Sequence, residues 1–262
     1  MKAVLSIAGS DSSGGAGIQA DIKTISAHGL FAETAITALT AQNTTGVLGV
    51  VEVEPEFVML QIDAVFTDIR PAAVKVGMVS SPEIARAIAA SLVSWHAENI
   101  VVDPVMVATS GARLISEGAA AALVGELMPH ARVATPNLPE AEALVGRSLE
   151  GRADMEAAAR EIAQRVGCSA VLLKGGHGKA ADDVLVEADG TITWFEGERI
   201  DTTETHGTGC TLSSAIACGL ASGLGVVESV RAAKRYVTGA IAHAPHLGRG
   251  CGPLDHMWEH RG

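Results

Sequence analysis

Short runs of β-branched and aliphatic residues alternate along the chain with longer alanine-rich stretches whose apolar positions recur at helical spacing. The first kind of run fits a buried strand and the second an amphipathic helix. This pattern predicts strands over residues 3–8, 32–39, 47–53, 73–76, 100–102, 132–134 and 170–173, and a hairpin of 184–187 and 191–195 about Asp189-Gly190. It predicts helices over 16–28, 55–67, 82–96, 116–127, 140–145, 155–166, 208–220 and 226–243. Pro55 suits a first helical turn, and Ser81 is placed to cap the helix that Pro82 opens.

Strands alternating with helices imply an α/β fold with a mostly parallel sheet covered on both faces. No Pro/Gly/Ser-rich linker or repeat divides the chain, so one domain over 1–262 is expected. Ligands of such sheets sit beyond the carboxyl ends of the strands. Segments 9–17, 42–44, 75–78, 103–110, 137–140 and 174–177 all fall there.

Composition narrows the function. At 262 residues, 48% hydrophobic and 19% charged, the chain can bury an extensive core and is not disordered. A net charge of −11 and an aromatic content of 3% argue against a nucleic-acid partner. Cys168, Cys210, Cys218 and Cys251 form no CxxC pair, so neither a disulfide framework nor a zinc site is expected and a cytoplasmic location is. The first apolar stretch is too short for a signal peptide. Residues 205–227 carry no acidic or basic side chain except His206, but their Gly, Ser and Thr content argues for a buried helix after a glycine turn, with no membrane partner.

Several loops hold candidate chemistry. Gly9-Ser10-Asp11-Ser12-Ser13-Gly14-Gly15-Ala16-Gly17 joins a strand to a helix and lets backbone approach a ligand closely, although it has neither GxGxxG nor GxxxxGK[ST] spacing. The plain alternative is a tight turn with Asp11 or Ser13 capping the helix. Thr205-His206-Gly207-Thr208-Gly209-Cys210-Thr211 leads into another helix. Backbone N–H groups converging at that helix start form an anion hole suited to a transferring phosphoryl group. Cys210 falls in the first turn, where the field favours thiolate; the alternative is a small buried cysteine.

Asp103, before Pro104, and Glu140, in TPNLPEAE, are carboxylates able to hold Mg²⁺ together with substrate phosphates. Alternatively they are a turn acid and a first-turn helix acid. Lys174, followed by two glycines, can place an ammonium on phosphate oxygens, or can simply be solvated. The Gln42 amide offers a donor beside an acceptor and matches the ring-nitrogen and amino edge of an aminopyrimidine, although Gln-Asn-Thr is also ordinary loop composition.

AGSDSSGGAGIQADIKT, TALTAQNTTGV, VKVGMV, DPVMVATSG, TPNLPEAE, LLKGGH and THGTGCTLSSAIA, in this order, closely resemble the hydroxymethylpyrimidine/phosphomethylpyrimidine kinases of the ribokinase-like superfamily. The likeness runs from about residue 8 to 217, with GPLDH as a further match near the end. It implies a ribokinase-like three-layer sandwich. It also implies two successive ATP-dependent phosphorylations, of 4-amino-5-hydroxymethyl-2-methylpyrimidine and then of its monophosphate, for thiamine diphosphate synthesis. By the same resemblance Gln42 reads the pyrimidine, with Gly9, Asp21, Met78 and Val105 around it. Asp103 and Glu140 correspond to the Mg²⁺ carboxylates, and Lys174 and Asn137 to nucleotide-phosphate contacts. Gly207, Thr208, Gly209 and Cys210 correspond to the anion hole and catalytic position, Cys210 standing where most of the superfamily has Asp.

Relatives often form homodimers. Pyridoxal kinases of the same subfamily share a GxGC turn and are the nearest alternative, although their segment around Gln42 usually differs. A ligand-binding or regulatory protein without turnover is the alternative from another class. Residues 108–113 are the segment expected to close over the phosphates.

Overall fold

The computed structural model describes residues 1–106, 117–176 and 181–261. Ten strands form along the chain: β1 (Ala3–Ala8), β2 (Phe31–Ile36), β3 (Ala38–Asn43), β4 (Gly46–Glu52), β5 (Ala73–Val76), β6 (Ile100–Val102), β7 (Val133–Ala134), β8 (Ala170–Lys174), β9 (Asp183–Glu187) and β10 (Ile192–Phe195). Eight of them make one sheet in the order β10-β9-β8-β7-β6-β5-β1-β2. All neighbours from β8 to β2 are parallel, and β9 and β10 close one edge antiparallel.

Helices cover both faces. α2 (Pro55–Phe66), α3 (Pro82–Ser94), α4 (Glu117–Ala122), α5 (Leu138–Val145) and α6 (Gly151–Val166) supply one core layer, which includes Ile62, Ile88 and Ile162. α1 (Gly17–Ala27), α7 (Thr208–Ser222) and α8 (Val226–Ala242) supply the other, which includes Ile25, Ile216 and Val237. Successive β-strand side chains feed opposite layers, as in β1, where Leu5 and Ile7 join the first and Val4 the second. The three-layer α/β sandwich expected from the alternation of elements is the fold observed.

Some boundaries differ. The strand expected over 32–39 breaks at Thr37, which leaves the large sheet. The Thr37 N–H donates to Ala8 O, its hydroxyl to Met78 O at 2.8 Å, and its carbonyl receives Val53 N–H. Beyond it, among the described residues, β3 and β4 form a separate two-stranded antiparallel flap, with Ser10 N–H donating to Ala38 O at its base. Its tip is tied down where Thr44 O accepts from Cys251 N–H.

The helix expected over 116–127 is regular only for Glu117–Ala122. It widens to a π turn over Leu123–Leu127 and tightens to a 3₁₀ turn at Met128–His130. Ser116 lies outside the described residues, as do the proposed closing segment 108–113, Ser110 and His177. Ser81 does cap α3, accepting from Ile84 N–H at 3.2 Å. Neither Asp11 nor Ser13 caps α1: Ala16 stands at its N-cap, with no side-chain bond. Within 205–227 the structure has the short buried helix α7, and no helix among the described residues is long and apolar enough to cross a membrane.

Candidate active site

The sheet changes winding direction between β1 and β5, because β1 pairs with β2 on one side and with β5 on the other. A crevice is expected beyond the carboxyl ends at such a point. Gly9 and Met78 follow these two strands and meet there: a Cβ on Gly9 would stand 3.1 Å from Met78 Sδ. Val105 sits further along, after β6, with its N–H turned back onto Asp103 O. The flap brings Gln42 to the same end. Its backbone is fixed there: the Gln42 N–H donates to Ser12 Oγ at 2.8 Å, and the Ser12 hydroxyl donates back to Gln42 O at 2.7 Å.

Two glycine loops interlock at the start of α7. Gly207 has φ +85°, and a Cβ on it would lie 1.9 Å from Gly15 O. Only glycine fits that position, for conformation and for space. Gly17, at φ +55°, is equally hemmed in, since a Cβ there would lie 2.3 Å from Gly9 O. The first-turn N–H groups of α7, Gly209 and Cys210 among them, have no carbonyl partner within the helix and present the positive end of its dipole. Thr208 Oγ1 donates to Thr205 O at 2.8 Å and so braces the turn.

Under this helix start, three neighbouring strands end in one polar cluster. Asp103 after β6 receives Thr135 Oγ1, after β7, at 3.0 Å, and Lys174 Nζ, ending β8, at 2.9 Å, both on Oδ1. Ser213 of α7 approaches Asp103 Oδ2 at 3.4 Å. A Cβ on Gly209 would lie 3.2 Å from that same oxygen and 3.5 Å from Lys174 Nζ, so the glycine allows helix and ion pair to approach.

Glu140 and Asn137 form a capping box at α5: Asn137 Oδ1 accepts from Glu140 N–H at 2.9 Å, and Glu140 Oε2 from Asn137 N–H at 2.8 Å. Glu140 Oε1 also faces Met106 N–H at 3.3 Å. Glu140 is thus a first-turn helix acid, as one alternative held, but it also lies within electrostatic reach of the pair. Burial pushes its carboxyl up to about 7, with Lys174 pulling down and Asp103 pushing up. Burial works against the Lys174 charge, but Asp103 and Glu140 hold its ammonium above the usual lysine range.

Two close buried carboxylates, one forced toward protonation, suit a hard divalent cation that keeps waters and phosphate ligands. Among the described residues no group of three or more His, Cys, Asp and Glu forms a cage around a metal. Asp103 and Glu140 offer two carboxylates, which fit a divalent cation whose other positions are filled by water and phosphate oxygens.

Asp21 lies one layer deeper. It is completely buried and receives Ser6 Oγ at 2.5 Å, Ser214 Oγ at 2.7 Å and Lys75 Nζ at 2.8 Å. The resemblance places it around the substrate; in the structure its carboxylate is engaged by these three donors. Lys75, also fully buried, opens the segment 75–78 placed at the strand ends above but was given no role there, although a lysine within the apolar run Ala73–Val76 was the available signal.

The Cys210 thiol departs from expectation. Burial pushes it up, and the pull of Lys75 is opposed by Asp21 and Asp103. The helix start does not produce a resting thiolate, because the sulfur is desolvated and two carboxylates lie nearby.

A sequence model of the phosphomethylpyrimidine kinase family matches residues 11–255. The chain belongs to the phosphomethylpyrimidine kinase family. It is 52% identical to the hydroxymethylpyrimidine/phosphomethylpyrimidine kinase of Rhizobium meliloti, over 97% of this chain and 96% of that one. It is 51% identical to the thiamine biosynthesis bifunctional protein ThiED of Geobacter sulfurreducens, over 97% of this chain but 52% of that protein, about half its length. Among solved structures, an ADP complex of Bacillus subtilis pyridoxal kinase superposes with a TM-score of 0.91 at 36% identity, each chain fully covered.

As a member of this kinase family the chain is a phosphotransferase of the thiamine pathway, and membership of a kinase family implies use of ATP. The ribokinase-like fold inferred from the motifs is the fold it shares with these kinases.

Proposed function

We propose that this single kinase domain performs both phosphorylations of the pathway at the start of α7, with Mg²⁺, and works in the cytoplasm as a homodimer. The convergence of Asp103, Lys174 and Gly209 carries this reading, because it sets a cation, a carboxylate and open N–H donors around one point.

Gln42 reads the ring-nitrogen and amino edge of the pyrimidine, with Gly9, Met78 and Val105 as walls and Asp21 as a support from below. The 5-hydroxymethyl oxygen attacks the γ-phosphorus, the bond to the β,γ-bridging oxygen breaks, and ADP leaves. Transfer through a loose transition state depends chiefly on positioning and charge stabilisation. N–H groups of Gly207, Gly209 and Cys210 face the equatorial oxygens, and Thr208, whose N–H donates to Thr205 O at 3.2 Å, holds the turn that presents them. Lys174 exchanges Asp103 for a nucleotide phosphate, with Asn137 beside it. Asp103 and Glu140 would hold Mg²⁺, which when bound offsets phosphate charge.

In the first step the Cys210 thiol must first give its own proton to solvent, and the resulting minor thiolate form then takes the hydroxyl proton. In the second the acceptor is already an anion and needs no base, so Cys210→Ala is expected to slow the first phosphorylation more than the second. Equal losses in the two half-reactions contradict that role.

The homodimer is supported by apolar side chains left exposed on the flap and α2: Leu39, Leu48, Val51, Phe57 and Leu60. Light scattering after size-exclusion chromatography tests it; a monomer at micromolar concentration contradicts it.

A further inference from the structure

α7 begins without the usual fastening. A helix start is ordinarily tied by a side-chain oxygen at its N-cap, as Ser81 ties α3 and Asn137 ties α5. The N-cap of α7 is Gly207, which has no side chain, and no cap hydrogen bond is made there. Yet the N–H groups of this turn have to stand at fixed distances from a transferring phosphoryl group. The turn is held from outside the helix.

The holder is one residue upstream. His206 is buried, and its Nε2 lies 2.7 Å from Asp11 Oδ2. Asp11 also accepts from the N–H groups of Ser13, Gly15 and Ala16 and from the Ser13 hydroxyl. Against the opposing effect of burial, the bonds from His206, Ser13 and Ala16 hold its carboxyl down at about 2. Asp11 is therefore ionised and only accepts, so the imidazole carries its proton on Nε2 and gives it to Asp11. That proton is committed, and it serves neither the Gln42 amide, 3.4 Å away, nor a substrate. Two further contacts fix the residue. A Cβ on Gly15 would come 2.5 Å from His206 Cδ2, and the His206 backbone N–H donates to Gly252 O at 3.0 Å.

Asp11 also makes the two glycine loops unlike. The first turns the N–H groups of Ser13, Gly15 and Ala16 toward one point, a concavity of the kind that binds anions, and Asp11 fills it with the chain's own carboxylate. The second, at the start of α7, has no side-chain cap and stays open to a bound anion.

We propose that Asp11 and His206 are positioning residues for phosphoryl transfer: Asp11 fills the concavity of the first glycine loop and, through the His206 imidazole, sets the α7 turn where its N–H groups meet the phosphoryl oxygens. This rests on the reading of that turn as the anion hole. Neither side chain bonds to the reacting atoms. A displaced turn weakens the bonds to the equatorial oxygens, which matter most in the transition state, and leaves the contacts to the ring and to the ground-state nucleotide in place.

The test is the affinity of the full chain for ADP and Mg²⁺ in the presence of hydroxymethylpyrimidine, measured by titration calorimetry with and without aluminium fluoride, a mimic of the phosphoryl group in transfer. Wild type, His206→Phe and His206→Gln are compared, with thermal unfolding to check the fold and steady-state kinetics alongside. In wild type, aluminium fluoride tightens ADP binding. His206→Phe keeps a ring but loses the donor, and it is expected to lose about tenfold of that gain while ADP alone binds within about twofold of wild type. Its kcat falls by a similar factor, and its KM for the pyrimidine changes little. His206→Gln, which retains an N–H donor, restores part of the gain. His206→Asn, whose amide stops short of Asp11, takes the place of His206→Phe should that variant not fold. If the donor-less variant keeps the wild-type gain, or changes only the KM for the pyrimidine, the positioning role is overturned while the anion-hole reading stands. If wild type gains nothing from aluminium fluoride, the anion-hole reading fails and the proposal with it.

Discussion

Lys174 and Asp103 form a 2.9 Å ion pair across the ends of β8 and β6, directly under Gly209 of the α7 turn. With Asp103 almost fully buried, the pair is shielded from water and the lysine is held ready for a stronger anion. Charge-assisted hydrogen bonds of this kind contribute about 1.5–3 kcal/mol, so Lys174→Ala is expected to lower kcat/KM for ATP roughly 10- to 100-fold. Initial rates at varied ATP check this. Unchanged ATP dependence would remove Lys174 from the nucleotide site.

Beneath it, Asp21 and Lys75 form an ion pair with neither side chain exposed. Removing one partner strands a buried charge. Asp21→Leu and Lys75→Met are each expected to destabilise the fold by about 3–5 kcal/mol, and the double variant by less than the sum. Denaturant unfolding of the three proteins measures the coupling. Additive losses would show that the two charges do not support each other.

The stability of the fold depends on pH in two opposite ways. The Asp11 carboxyl is lowered from 3.8 to about 2, so its contribution is full above pH 3.8 and is lost as pH falls through 2. Glu33 is raised from 4.5 to about 7 by burial and by Asp68, and among the described residues its Oε2 has no hydrogen-bond partner. Charging it costs stability, so the fold weakens as pH rises from 4.5 to 7. Glu33→Gln is expected to reduce the slope of thermal unfolding across that window, with Glu140, also raised to about 7, carrying part of the remainder, while Asp11→Asn flattens it only at the acid end. A wild-type slope retained in Glu33→Gln assigns the neutral-range dependence to other groups.

Because the Cys210 thiol is pushed up, its base form grows with pH above neutrality. The single-turnover rate of the first phosphorylation is therefore expected to rise with pH over the alkaline range. The second is not, and the rise disappears in Cys210→Ala. Parallel profiles for the two steps would remove the thiol as proton acceptor.

Periodicity made the layers and most elements legible, since strands buried on both faces show as continuous apolar runs, as over the first four residues of β8, before Lys174. The loops of the candidate site could be placed for the same reason: they follow such runs. What the pattern missed depends on contacts distant in sequence. Thr37 ends a strand because its hydroxyl finds Met78, 41 positions on. His206 and Asp11, 195 positions apart, meet only once the two glycine loops interlock. Cys210 misled because its sequence neighbours show the helix start but not the buried carboxylates of Asp21 and Asp103. No local signal shows that Asp21 pairs with a buried lysine, because Lys75 lies 54 positions on.

The most direct test of the central claim is mass-resolved turnover of the purified chain with ATP and Mg²⁺, offered hydroxymethylpyrimidine or pyridoxal. ADP release accompanied by the pyrimidine monophosphate and then the diphosphate is the predicted result. Preferential phosphorylation of pyridoxal, or ligand-induced thermal stabilisation with no ADP, would contradict it.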